Sequence, residues 1–421
     1  AAPLNPSYKS EEYEFYLKDL NPKIVLVEKN SENPVVDVAK KLKIELCEIN
    51  PEKDGPSGIF NIYEKESEYS LPDESDEALV LHTSGTTSRP KIVPLTNKNI
   101  FSSAENISKS LNLSENDHCL NIMPLFHIHG LIAILASSMK AGASVCASNG
   151  FNAIKFLDLA KSEKITWYSG VPTMHQTILL RAHRNLEIAK GLKLRLIRSS
   201  SASLPPAVFN DLNDVFSCPV IEAYGMTEAT HQMTSNPLPP KQQKAGFVGL
   251  PAGPEVCIMN ENGEVLKQGD EGEVCIKGEN VTLGYDNNEE ANKTSFTNGW
   301  FRTGDQGYFD NEGYLKISGR LKEIINKGGE KISPLEVDNV LMDHPLIDQA
   351  VCFGYEDKML GENIASAIII KSGEICSEND VLEYAKEKLA KFKIPKKIFF
   401  VEEIPKGATG KLQRNVLAKK F

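Results

Sequence analysis

Three times along this chain of 421 residues, a run of strand length, apolar in the first case, leads into a loop of small and hydroxylated residues. The first run is Ala78-Leu79-Val80-Leu81, followed by Thr83-Ser84-Gly85-Thr86-Thr87-Ser88-Arg89-Pro90-Lys91. The second is Leu194 to Arg198, followed by Ser199 to Ser203. The third is Pro219 to Ala223, followed by Tyr224-Gly225-Met226-Thr227-Glu228. Short continuous apolar runs are the pattern of buried strands. Helical spacing follows the first loop at Ile100, Ala104, Ile107 and Leu111, with Thr96 or Asn97 as the N-cap. After the second, Pro205 and Pro206 open a helix that Ser203 is expected to cap. Strand, polar loop and helix form the repeating unit of an α/β domain. In such sheets ligands bind beyond the carboxyl ends of the strands. The three loops are therefore the places to look for chemistry.

The first loop carries five hydroxyls, one glycine and two cations, and is expected to join a strand directly to a helix. Hydroxyls and free backbone amides can surround phosphate oxygens, with Arg89 and Lys91 supplying charge. It is not a Walker loop, because Pro90 precedes the lysine and no Gly-Lys-Ser/Thr ends it. A hydroxyl-rich surface loop would look the same. In the third loop Tyr224 can stack on a base, Thr227 can meet phosphate and Glu228 can hold Mg²⁺. An acidic first helical turn is the plainer reading there. Asp305, after Gly304, can accept two hydroxyls of a sugar, though most such aspartates only serve a turn. His127 lies in a turn between Pro124 and Gly130, where histidines usually serve packing; His129 beside it is read as structural.

The rest of the chain reads as mixed structure. Glu11 to Leu20 is helix-like, Lys23 to Val27 is a short strand, and Glu64 to Glu77 is an acidic linker. Gly263 to Gly284, with alternating strands, suggests a small β subdomain. Ser333-Pro334-Leu335-Glu336 reads as a capping box with proline at the first helical position. That marks a new domain of alternating helix and strand. From Lys386 to Phe421 there are eleven Lys/Arg against three Glu, either a solvated face or a landing surface for phosphates.

Composition narrows the function classes. A net charge of −10 argues against bulk nucleic-acid or anionic-membrane binding. No apolar stretch reaches the ~18–20 residues of a membrane span. The eight cysteines show no Cys-x-x-Cys and no Cys/His pairing, which excludes a zinc ribbon and fits a reducing compartment. No signal peptide opens the chain, and Lys419-Lys420-Phe421 is not a Ser-Lys-Leu address. A cytoplasmic location is expected; a longer C-terminus would reopen a peroxisomal one. Oligomeric state is not legible.

Taken together, the loop 83–91, Tyr-Gly-Met-Thr-Glu at 224–228, Arg-Thr-Gly-Asp ending at Asp305, Gly-Arg at 319–320 and the lysine loop Pro405 to Lys411 resemble the adenylate-forming enzymes: acyl-CoA synthetases, luciferases and peptide-synthetase adenylation domains. Ser88 and Ile92 stand where that family usually has glycine. Both departures occur in its oxalate–CoA ligase branch, which the chain resembles along nearly all its length. By this resemblance the chain begins inside the first domain. The fold implied is α/β, with a large N-terminal domain over residues 1–320, a hinge at 321–323 around Lys322, and a small mobile α+β domain over 324–421. The substrates implied are ATP with Mg²⁺, a small carboxylate (oxalate favoured) and coenzyme A.

The roles implied are nucleotide binding by Thr83, Ser84, Gly85, Thr86, Thr87, Lys91, Tyr224, Asp305 and Arg320, and catalysis by Lys411, His127, Thr227 and Glu228, the last also holding the metal. Ser201 and His231 are implied at the acid, with Arg198 a weaker electrostatic contributor, and Gly328 and Gly329 at coenzyme A. An aromatic or medium-chain acid is the alternative substrate. From another class, the alternative is a non-catalytic nucleotide-binding scaffold.

Overall fold

The structure, a computed structural model, describes residues 1–51, 60–62, 71–83, 90–407 and 409–421. Its centre is a seven-stranded sheet in the order Leu250–Pro251, His231–Ser235, Val220–Met226, Leu196–Ser199, Trp167–Gly170, His118–Asn121, Ser144–Ala147. The last five of these run parallel, and His231–Ser235 turns back antiparallel to Val220–Met226. Strands buried on both faces must be apolar or carefully paired. Trp167, Tyr168, Leu196, Ile197, Val220 and Ile221 are fully buried accordingly. Helices Asn97–Ser110, Ala153–Ser162, Pro172–Ala182 and Pro206–Phe216 join them in one continuous core. Because the five strands are parallel, their carboxyl ends share one edge. Asn121, Gly170, Ser199 and Met226 end there, and His127, Thr173, Ser201 and Glu228 follow within a few residues.

A second sheet is built from Glu255–Met259, Gly272–Lys277, Trp300–Phe309, Phe296–Thr297 and Leu315–Arg320. A third holds Glu330–Ile332, Ile325–Lys327, Gly361–Ile370, Ile347–Asp357 and Lys397–Phe400. This last sheet has its own core with helices Pro334–Met342 and Glu378–Lys388, through Val337, Leu341, Ile364 and Val381. Large α/β unit, small β-sheet and small α+β unit are the expected architecture.

Four local expectations change. The loop 83–91 does not join strand to helix: Glu77–His82 pairs antiparallel with Ile92–Thr96, and the helix begins only at Asn97. The run Ile92-Val93-Pro94-Leu95 is a strand that Pro94 disguised; a two-stranded ribbon tolerates proline where a central strand does not. Thr96 is the N-cap, its hydroxyl accepting from the Asn99 amide at 3.2 Å while Asn99 answers at 2.9 Å. Ser203 does not cap Pro206–Phe216; Pro205 occupies the N-cap position. Asp305 does not close a turn but lies within the strand Trp300–Phe309, opposite Arg320. Finally, Ser333 precedes its helix with no capping bond: its hydroxyl donates to the Ser318 carbonyl, and Glu336 pairs with Lys393 at 2.7 Å. Of the acidic linker, residues 64–70 lie outside the described residues.

Candidate active site

Lys411 comes from the C-terminal unit yet reaches the carboxyl edge of the central sheet. Its loop is closed by the Gly407 amide donating to the Lys411 carbonyl at 2.8 Å. Thr173, just past the strand Trp167–Gly170, donates its hydroxyl to the Gly410 carbonyl at 2.9 Å. Gly410 has φ +79°, and a Cβ there would sit 3.2 Å from Val171 Cγ2, so a side chain at this docking point is strained and crowds Val171. Burial and the neighbouring Arg320 push the Lys411 ammonium down to about 8, against the pull of Asp305 and Glu228. Lys411 in turn helps to hold the His127, His129 and His231 rings neutral, although burial is the larger cause for each. One half-buried cation thus stands among His127, Glu228, Asp305 and Arg320.

Around it the expected nucleotide residues assemble in part. The Tyr224 hydroxyl donates to Asp305 Oδ2 at 2.5 Å, and Arg320 Nε donates to Oδ1 at 2.9 Å. Burial raises the Asp305 carboxyl, while Arg320 and the Tyr224 hydrogen bond pull it back. A carboxylate has about four acceptor sites, so Asp305 retains capacity for sugar hydroxyls. Thr83 and Lys91 close the mouth of the first loop: the Thr83 amide donates to the Lys91 carbonyl at 2.9 Å, and the Lys91 amide to Thr83 Oγ1 at 3.1 Å. Ser84, Gly85, Thr86 and Thr87 lie outside the described residues. Lys91 Nζ lies 4.1 Å from the Tyr285 ring centroid, and the Tyr285 hydroxyl donates to Glu228 Oε1 at 2.8 Å. Tyr285 therefore connects loop base and carboxylate, a link the sequence reading missed.

His127 accepts the His129 amide on Nδ1 at 3.2 Å, and burial pushes the ring down to about 3. A neutral ring with Nδ1 occupied carries its proton on Nε2, so His127 offers a donor. His129, read as structural, belongs to the site. It opens a π-helical segment, His129–Ala136, a geometry frequent at functional sites. Its Nδ1 meets Ser201 Oγ at 3.0 Å and its Nε2 meets Ser169 Oγ at 2.6 Å. The His231 ring lies 5.0 Å away. Arg198, fully buried, reaches Gln232 Oε1 at 3.1 Å, and Ser169 Oγ and His231 Nδ1 at 3.5 Å each. Ser201 and His231 both hold positive φ, +74° and +97°. Strained backbone of this kind in non-glycine residues concentrates at ligand sites. So the two expected acid residues share one buried polar cluster with His129, Ser169, Arg198 and Gln232.

Thr227 opens a single 3₁₀ turn, Thr227–Ala229, beyond the strand Val220–Met226. Glu228 is 7 % exposed. Among the described residues no cluster of three His, Cys, Asp or Glu could hold a metal. One carboxylate suits Mg²⁺ carried largely by substrate phosphates, the usual mode for that ion. Lys322 lies in the turn Leu321–Glu323 between the second and third sheets. Gly328 and Gly329, φ +60° and +95°, form the tight turn between Ile325–Lys327 and Glu330–Ile332. Cys119, Cys146, Cys218, Cys257, Cys275, Cys352 and Cys376 are free thiols. Among the described residues no helix is long and apolar enough to cross a membrane.

Known proteins fit this arrangement. Residues 1–286 match the AMP-binding enzyme family, and residues 336–411 match the AMP-binding enzyme C-terminal domain. The chain is 48 % identical to the oxalate–CoA ligase of Arabidopsis thaliana, covering 100 % of this chain and 83 % of that protein. Its fold is similar to ATP-bound MatB from Rhodopseudomonas palustris, with a TM-score of 0.89 and 30 % identity over 99 % of this chain and 83 % of that one. It is also similar to o-succinylbenzoate CoA synthetase from Bacillus subtilis in complex with its acyl-adenylate intermediate, at TM-score 0.83 and 32 % identity over 98 % of this chain and 82 % of that one. The chain belongs to the AMP-binding enzyme family.

Proposed function

We propose that this protein is an ATP-dependent carboxylate–CoA ligase whose acid is oxalate. The observation that carries the ligase reading is Lys411, delivered from the C-terminal unit into a half-buried position beside Asp305, Glu228 and His127. The oxalate reading draws on two supports. One is the 48 % identity to an oxalate–CoA ligase over the whole chain. The other is the polar lining of Ser201, His129 and His231, backed by the Arg198 guanidinium, to which no carboxylate is bonded among the described residues. A dicarboxylate keeps one negative charge after the other carboxylate has reacted, and needs donors rather than an apolar wall.

In the first half-reaction an oxalate oxygen attacks the α-phosphorus of ATP and pyrophosphate leaves. Charge builds on the phosphoryl oxygens, so the protein contributes positioning and electrostatics. Lys411 bridges the attacking carboxylate and the α-phosphate. Asp305 takes the ribose, with Tyr224 at the base and Arg320 beside the sugar and phosphates. Thr83, Lys91 and the loop between them take the β- and γ-phosphates; Thr227 contacts phosphate, and His127 donates from Nε2 next to the acyl group. Glu228 would hold Mg²⁺, which supplies charge neutralisation on the phosphates when bound. In the second half-reaction the thiol of coenzyme A attacks the acyl carbon and AMP leaves. Lys411 must withdraw first. We assign the hinge to Leu321–Glu323 around Lys322, between domains at 1–320 and 324–421, with Gly328 and Gly329 lining the thiol path. The thiols of Cys119, Cys146, Cys218, Cys257, Cys275, Cys352 and Cys376 favour a reducing compartment, the cytoplasm.

The test is pyrophosphate and AMP release with ATP, coenzyme A and a panel of oxalate, malonate, benzoate and octanoate. Oxalate should give the highest kcat/KM. Preference for benzoate or octanoate would overturn the substrate, and nucleotide binding without AMP formation would overturn the enzyme.

A further inference from the structure

The acid pocket is read above from the kinds of residue that line it. Its hydrogen-bond directions carry a further inference, which rests on that reading of the site. A guanidinium donates and never accepts. Every partner of Arg198 must therefore turn an acceptor toward it, and this fixes the protons further along.

Two chains of contacts leave Arg198. In the first, Nη1 lies 3.5 Å from Ser169 Oγ, which lies 2.6 Å from His129 Nε2. Ser169 is fully buried, and of these two partners only His129 can accept its proton. The Ser169 hydroxyl therefore donates to Nε2. A neutral His129 then carries its proton on Nδ1 and donates to Ser201 Oγ at 3.0 Å. Ser201, which is partly exposed, is left with its own O–H to give. In the second chain, Nη2 lies 3.5 Å from His231 Nδ1, so that nitrogen bears the lone pair and Nε2 bears the proton. Among the described residues His231 Nε2 is buried without a partner. An orphaned buried donor is costly, roughly 1–3 kcal/mol, and points to a ligand that accepts.

Gln232 fixes the source of both chains. Its Nε2 donates to the Ala252 carbonyl at 3.0 Å and to Ser110 Oγ at 2.9 Å. A carbonyl can only accept, so the amide cannot flip, and Oε1 must face Arg198 at 3.1 Å. Both imidazoles are kept neutral, chiefly by burial, with Arg198 adding to it.

We infer that Arg198, oriented by Gln232, polarises the pocket in one direction, so that Ser201 Oγ and His231 Nε2 both present donors and select the acceptor-only, unreacted carboxylate of the acid. Arg198 and Gln232 are positioning residues here; the donors that meet the substrate are Ser201 and His231. The fixed charge is the guanidinium, so selection does not depend on protonating a histidine.

Oxamate tests this, because it replaces one carboxylate of oxalate by an amide whose NH₂ would face donors. For the wild-type enzyme, kcat/KM for adenylate formation should favour oxalate over oxamate by at least about 10²-fold, as expected where buried donors are left mismatched. Arg198→Met should bring the ratio within about tenfold. Ser169→Ala, a smaller change that keeps the guanidinium, should cut the ratio about tenfold. ATP affinity by calorimetry should be unchanged in both, which reports an intact fold. If both variants retain the wild-type ratio while still turning over oxalate, the polarised pocket is wrong and the ligase reading stands. If the wild-type enzyme makes no AMP from oxalate, the substrate reading itself has failed and this inference falls with it.

Discussion

Lys411 titrates close to working pH, which gives the proposed mechanism a measurable edge. An exposed lysine loses its proton near 10.4. Here burial and Arg320 bring that down to about 8. The cation is the form that stabilises charge on the α-phosphate. At pH about 7 roughly nine-tenths of the lysine is charged, and at pH about 9 roughly one-tenth. The kcat/KM for adenylate formation, which reports the free enzyme, should therefore fall about tenfold between those values. Bound nucleotide adds anions that raise the lysine again, so the limb in kcat should lie at higher pH. Lys411→Arg keeps its charge at every accessible pH and should flatten the limb. Lys411→Ala removes a donor comparable to an oxyanion-hole group, about 3–4 kcal/mol or 10²–10³-fold in adenylation.

Thioester formation from preformed acyl-adenylate should proceed in all three proteins. The assay is pyrophosphate release under kcat/KM conditions across the pH range. An alkaline limb that survives in Lys411→Arg would refute the assignment. The same titration touches stability. The folded pKa is depressed, so the unfolded chain holds more protons between about 8 and 10.4, and this residue's contribution to stability rises with pH across that window.

Three further outcomes follow from the geometry. Lys322→Pro in the turn Leu321–Glu323 should leave adenylation within about threefold and abolish thioester formation; equal loss of both half-reactions would reject the hinge. Tyr285→Phe removes the bond to Glu228 Oε1, about 0.5–1.5 kcal/mol, so Mn²⁺ titrations in the presence of ATP should show a several-fold weaker metal; unchanged affinity would detach Glu228 from the metal. Gly410→Ala forces a β-carbon onto φ +79° against Val171, a strain of about 1–2 kcal/mol that should slow adenylation about tenfold and spare thioester formation. Equal slowing of both half-reactions would show that the docked loop does not serve adenylation alone.

How much of this was legible in the residues depends on where each interaction is encoded. Two of the three runs, Leu194 to Arg198 and Pro219 to Ala223, supply strands of the parallel sheet, because strand patterns are local properties; the first, Ala78 to Leu81, belongs to the separate ribbon. The ribbon partner Ile92–Thr96 was not legible, because Pro94 breaks the strand pattern and only its cross-strand neighbours Leu79 and Leu81 make the segment a strand. The environment of Asp305 was not legible either. Its glycine suggested a turn, while the register that sets it opposite Arg320 depends on a strand further along the chain. His129 looked like packing because its partners, Ser169 and Ser201, come from two other strand ends. Ser333 showed the capping pattern but spends its hydroxyl on the Ser318 carbonyl in the strand Leu315–Arg320, a contact that local pattern does not carry.

The central claim is that the acid attacks the α-phosphorus of ATP and that a thiol then attacks its acyl carbon. Oxygen-18 in both carboxylates of oxalate tests this in a single turnover with coenzyme A. If the acid is activated as an adenylate, one labelled oxygen ends in AMP, and Lys411→Ala abolishes that transfer at pH about 7. Label recovered in inorganic phosphate, with ADP in place of AMP, would contradict the account.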